Sequence, residues 1–251
     1  MTELHAVVGA PTDHRLSDAV LRPVTTNTFE STVEQLATAV RLGVFARGEQ
    51  LPPERELAER LGVSRVTLRE AIAALRDSGL VTTRPGRGGG TVVVYDGPQI
   101  ASRRPEGSIV GRRGAALGDA LEFRRVVEPG AAALSARQTL ASDQRAWLSA
   151  ALRETTDASD PTLHRLADSR LHLAVATLSG SPMLIEAVTR AQAALHELLT
   201  AIPVLPRNIA HSDAQHQRVV AAILAGDPEA ARVGMEEHCD ATSALLRGLL
   251  G

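Results

Sequence analysis

Aromatic side chains and cysteine are almost missing from this chain, and lysine is absent altogether. With only 2% Phe, Trp and Tyr, the apolar content rests on Ala, Leu and Val, which favours helices packed closely through small side chains. A single cysteine, Cys239, excludes an intramolecular disulfide. No N-terminal stretch combines a charged start, an apolar middle and a small-residue cleavage site, and no apolar run approaches the roughly 20 residues that span a bilayer. The expected location is therefore the cytoplasm, with no membrane partner. All 27 basic side chains are Arg, which reads mainly as a coding bias of the genome and only secondarily as phosphate chemistry.

What is present is ordinary for a globular protein: 44% hydrophobic and 22% charged residues over a length that fits two domains of common size. The net charge of -2 selects no partner class, but its distribution does. Between Arg41 and Gly114 there are 13 Arg against 8 Asp and Glu, a local excess of +5 on an acidic remainder. A basic N-terminal module on an acidic body is the footprint of a nucleic-acid binder.

Residues 1–24 mix Gly, Pro, Thr and charges without periodicity and read as a flexible arm with little order. From Thr28, the apolar positions Val33, Leu36, Ala37, Val40 and Val44 recur at helical spacing. Pro53 suits the first position of a short helix through Leu61, which Gly62 ends; Ser64 caps a third helix carrying Leu68, Ile72 and Leu75. A short turn between two helices is a helix-turn-helix. Leu80 to Arg84, the glycine-rich turn 85–90 and the run Thr91 to Val94 then form a β-hairpin, completing a winged helix-turn-helix over 25–95. Residues 96–114 suit an exposed linker. Over 115–251, helical signals repeat at 118–137, 142–156, 161–178, 182–202, 212–225 and 228–250, with Asp160, Ser181 and Asp227 each preceding a helix-starting proline. The fold class expected is mainly α: the winged module followed by an antiparallel bundle of six or seven helices.

In a helix-turn-helix the second helix enters the major groove, and its first turn faces base edges and phosphates. Here that turn carries Ser64, Arg65, Val66, Thr67 and Arg69. Arg65 or Arg69 can fork onto guanine, Thr67 and the helix N-terminus suit phosphate, and Arg55 is placed to join them. Arg84, Gly86, Arg87 and Gly88 make a small wing tip with basic flanks. Equally, Arg55 and Arg65 can serve a solvated surface by pairing with Glu54, Glu56, Glu59 or Glu70. The string LPPERELAERLGVSRVTLREAIAAL at 51–75, followed by GLVTTRPGRGGGTVVV, closely resembles the GntR family of bacterial transcription regulators. The resemblance covers 28–95 and implies that Arg55, Arg65, Thr67, Arg69 and Gly86 occupy DNA-contacting positions.

In the C-terminal region Asp168 and His172 lie four apart on one helical face, while His216 and His238 sit on two later helices. Three imidazoles and a carboxylate suit Zn, with Ni or Mn as alternatives, and leave positions for a ligand carboxylate. By spacing alone they read more readily as surface or hydrogen-bonded core histidines. The segments EFRRVVEP (122–129), ADSRLHLAVATLSGSP (167–182) and HQRVVAAILAGDPEAARVGMEEH (216–238) resemble the FCD effector domain of the FadR subfamily. That resemblance implies a divalent metal held by Asp168, His172, His216 and His238, and an effector-binding role for Arg124, whose other possible partner is Glu128 four residues on. Ser181 departs from the family's usual Asn. His164 and His211 are possible substitute ligands.

The function these readings imply is a regulator, more a repressor than an activator, that binds a short palindromic operator in double-stranded DNA as a homodimer. A small carboxylic-acid effector would control it from the metal site. A metal sensor in which the ion is the signal, and a metal-dependent hydrolase, are the competing readings; the hydrolase lacks a free carboxylate to act as general base.

Overall fold

The computed structural model describes residues 14–24, 28–86, 89–97, 110–158, 160–200, 202 and 205–250. In chain order its elements are α1 (Arg15–Val20), α2 (Thr28–Arg41), α3 (Glu54–Leu61), α4 (Arg65–Asp77), β1 (Val81–Arg84), β2 (Gly90–Val93), α5 (Val110–Ala136), α6 (Ser142–Asp157), α7 (Pro161–Leu178), α8 (Pro182–Thr200), α9 (Pro206–Ala225) and α10 (Pro228–Leu250).

The winged module forms where local chemistry dictates. Gly62, at φ 64°, takes the left-handed conformation that closes α3, and its N–H reaches back to the Ala58 and Glu59 carbonyls. Two residues later the Ser64 hydroxyl accepts the Thr67 N–H at 3.0 Å and opens α4. Leu57, Leu61, Leu68, Ile72 and Leu75 turn inward with Leu36 and Val40 of α2 to form one apolar core. β1 and β2 pair antiparallel with Val81 opposite Val93 and Arg84 opposite Gly90. Val81 is buried where β1 leaves the core, and Thr83 and Arg84 run out into solvent with the hairpin. Gly89 is required at the turn, because a Cβ there would fall 2.1 Å from the Arg84 carbonyl oxygen.

In the C-terminal bundle α5 is central, packing against α7, α8, α9 and α10. Asp160 accepts the Thr162 and Leu163 N–H groups at 2.7 and 3.2 Å to open α7, Ser181 accepts the Leu184 N–H at 3.3 Å to open α8, and Asp227 accepts the Ala230 N–H at 2.9 Å to open α10. Ser181 therefore supplies a cap where its relatives' amide was expected. Among the described residues no helix is long and apolar enough to cross a membrane.

Three boundaries differ from expectation. Within the arm expected to have little order over 1–24, residues 15–20 form α1, with Leu16, Val20 and Leu21 buried. The helix packs against α2, α7 and α8; Arg15 pairs with Asp143 of α6 at 2.6 Å, and Asp18 pairs with Arg60 of α3. Its order comes from tertiary burial that so short an apolar pattern does not advertise. Of the expected linker, 98–109 lies outside the described residues, and its end moves because α5 begins at Val110 rather than Gly118. Finally, α9 begins at Pro206 rather than Ser212, since Pro206 fits the first turn of a helix.

Candidate DNA interface and effector pocket

The first turn of α4 presents side chains to solvent. Arg65 is exposed and makes no ion pair among the described residues, and Val66 is 65% exposed, an apolar side chain with no core to enter. The Ser64 and Thr67 hydroxyls are 2.8 Å apart, and Arg69 donates from Nε to Glu54 Oε2 at 2.8 Å, tying α4 to α3. Arg55 is paired with Glu59 at 3.2 Å. Of the basic residues considered for a merely solvated surface, Arg55 is paired and Arg65 is not. On the wing Arg84 and Gly86 are exposed; Gly86 holds φ 100° with nothing within 4 Å of a Cβ, so its glycine serves conformation rather than space. Arg87 and Gly88 lie outside the described residues. Val66 lies off the buried Leu68–Ile72–Leu75 stripe and adds an apolar side chain to this face beyond the expected residues.

In the bundle, helices α7, α9 and α10 bring His172, His216 and His238 together, all three buried. The His172 and His216 Nε2 atoms are 3.3 Å apart, and those of His216 and His238 are 3.4 Å apart. Nitrogen ligands arranged tetrahedrally at about 2.1 Å from one ion stand about 3.4 Å from one another. Asp168 joins them, its carboxylate oxygens 3.5 Å from His216 Nε2 and 4.0 Å from His172 Nε2. The far sides of two rings meet acceptors: His172 Nδ1 lies 2.9 Å from Glu128 Oε2, and His238 Nδ1 lies 3.2 Å from Gln215 Oε1. A proton held on His238 Nδ1 in this way leaves its Nε2 lone pair facing the cluster, which is the form a metal takes, while the Glu128 carboxylate lies close to His172 Nδ1 without hydrogen-bond alignment.

Electrostatics point the same way. Burial pulls the His216 imidazole down to about 4 and His238 well below its ordinary range, so both are neutral at pH 7. Burial pushes the Asp168 and Glu128 carboxyls up, but His216 and His172 for the first, and Arg124 and His172 for the second, outweigh it and hold both below their ordinary range. The cluster thus offers the neutral His216 and His238 imidazoles, the His172 ring beside them and an ionised carboxylate, a donor set that fits a divalent cation. His164 is turned away and meets Asp213 at 3.1 Å, and His211 is exposed; neither belongs to the cluster.

Arg124 makes the expected ion pair with Glu128 and also lies on a cavity wall. Its Nε donates to Glu128 Oε2 at 3.0 Å, while Nη1 and Nη2 are buried with no hydrogen-bond partner among the described residues. A guanidinium held by one edge and unpaired at its fork is a receptor for a carboxylate. It lines, with Asp168 and His238, a cavity whose other walls combine Leu and Ile side chains with polar residues. Glu128 is the residue the sequence reading undervalued: it bridges Arg124, His172 and Gln192, whose Nε2 donates to it at 2.6 Å. An acidic residue on the apolar face of a long helix was the available signal.

A winged helix-turn-helix followed by a helical domain enclosing a polar-ended cavity defines a DNA-binding transcription regulator with an effector-binding domain. Residues 28–93 match the family described as bacterial regulatory proteins, gntR family, and residues 119–241 match the FCD domain. The Mycobacterium gastri protein RmpR is 33% identical over 220 residues, 83% of this chain and 76% of that one. An Escherichia coli K12 protein named for regulation of an L-lactate dehydrogenase operon is 32% identical over 199 residues, 76% of this chain and 75% of that one. The solved structure of E. coli McbR/YncC, 22% identical, covers 89% of this chain and 99% of its own with a TM-score of 0.52, a likeness of fold. The chain belongs to the GntR family of bacterial transcription regulators and carries the FCD domain of its FadR-like members. That membership sets the hydrolase reading aside.

Proposed function

We propose that this regulator is a repressor whose hold on a short palindromic operator is released by a carboxylic acid bound beside a divalent metal ion. The observation that carries the reading is the convergence of three imidazole Nε2 atoms next to the unpaired fork of Arg124. Asp168, His172, His216 and His238 would hold the ion, which would supply coordination positions for an acid's oxygen atoms. Arg124 orients the carboxylate, and Gln215 fixes the His238 tautomer. At the other end Arg65 and Arg69 address base edges, the exposed Val66 suits a thymine methyl group, and Ser64, Thr67, Arg55, Arg84 and the wing tip, including Gly86, Arg87 and Gly88, address the backbone. Two copies related by a two-fold axis would place two such helices in successive major grooves.

Metal content decides the first step. Protein purified without chelator or metal-affinity resin should carry about one equivalent of divalent metal per chain by elemental mass spectrometry, and His216→Ala should lose it. A metal-free wild type would leave a purely organic pocket. Release of labelled operator DNA by an added acid, absent when only the metal concentration is varied, separates this reading from a metal sensor.

A further inference from the structure

A second cation in the same cavity is assigned no role by the carboxylate reading. Arg165 lines the wall on α7, one helical turn before Asp168. Its Nη2 donates to the Ile202 carbonyl at 3.3 Å, but its Nη1 is buried with no hydrogen-bond partner among the described residues, and it forms no ion pair there. Leaving a buried guanidinium N–H unpaired is costly, and natural structures seldom do so without a ligand or a function at the site. The cavity therefore presents three unpaired guanidinium nitrogens from two arginines.

Leu and Ile side chains of α8, α9 and α10 line the rest of the cavity together with the polar Asn208, Ser212 and Thr242.

From this arrangement we infer that the effector is a dicarboxylate, one carboxylate held by Arg124 at the histidine end and the other by Arg165. The inference rests on the carboxylate reading of the pocket and adds to it a second charge and a residue that selects for it. It separates this chain's effector from a small hydroxy monoacid such as lactate.

Isothermal titration of the full chain, purified without chelator, with glutarate, valerate and lactate tests it. Glutarate and valerate have the same number of carbons and differ by the second carboxylate. Glutarate should bind about tenfold to a hundredfold more tightly than valerate, the range expected for a charge-assisted hydrogen-bonded pair out of water. Arg165→Gln should erase that difference by weakening glutarate alone, and Arg165→Lys should restore part of it. Valerate or lactate binding wild type as tightly as glutarate would overturn the dicarboxylate inference while leaving the carboxylate reading intact. If none of the three acids bound, both would fall. The wild-type ratio stands by itself should either variant fold poorly.

Discussion

Replacing Glu128 with Gln removes one charge and almost nothing else, so its cost measures how the buried site is held. Oε2 of Glu128 faces Arg124 Nε at 3.0 Å, His172 Nδ1 at 2.9 Å and Cys239 Sγ at 3.7 Å, while Oε1 faces the Gln192 amide at 2.6 Å. An amide oxygen in the Oε2 position keeps the first set of contacts. Its new NH2 group then faces Gln192, whose Oε1 is buried without a hydrogen-bond partner and can accept after the amide turns over. What remains is a buried Arg124 guanidinium stripped of its counter-charge, a loss of about 3 to 5 kcal/mol for pairs removed from water. The preserved hydrogen bonds put Glu128→Gln at the low end, near 3 kcal/mol, or roughly 6 to 12 °C in Tm for a chain of this size. Asp240→Asn is the control: it breaks an Arg125 pair at 2.6 Å that is shorter but lies in solvent, so its cost should be small beside that of Glu128→Gln. Differential scanning calorimetry of both variants at pH 7 reads the difference. Because the folded Glu128 carboxyl lies below its ordinary range, its stabilisation is present above that range and lost as pH falls through it. Glu128→Gln should therefore flatten the acid limb of stability. Equal costs for the two variants would refute the reasoning.

Three further outcomes follow from the same structure. Arg65→Ala should weaken operator binding at least about tenfold in fluorescence anisotropy while leaving Tm unchanged, since the side chain is exposed and unpaired by the described residues; unaltered binding would remove it from the interface. Ser64→Ala should destabilise by about 1 kcal/mol through loss of the α4 cap, visible as a lower urea midpoint with an unchanged slope. His196 of α8, 3.1 Å from the Tyr95 hydroxyl across the domain boundary, is pulled down to about 4 by burial and then by Arg165 and Arg41. The unfolded chain takes that proton first, so stability should fall as pH drops from about 6.5 towards 4, by up to about 3 kcal/mol; His196→Phe should lessen that slope in urea titrations at pH 7 and 5.

The helix ends were legible because their chemistry is local: Gly62 and Ser64, or Asp160 before Pro161, act within a few residues of where they stand. Helix α1 was not, because its order depends on α7 and α8, which follow it by more than a hundred residues. Resemblance and spacing together named Asp168, His172, His216, His238 and Arg124. Neither indicated that Glu128 would bridge two of them or that Arg165 would end with an unpaired nitrogen.

By itself, then, the order of residues determined the elements, their caps and the side chains available to each face, since these depend on backbone preferences and periodicity over a turn or two. Tertiary packing alone decided which nitrogens meet. The His172 to His216 contact spans 44 residues and the Glu128 to Gln192 bond spans 64, so both depend on how helices cross. A buried hydrogen bond is made or lost over less than an ångström, a tolerance that helix packing sets and local propensity cannot.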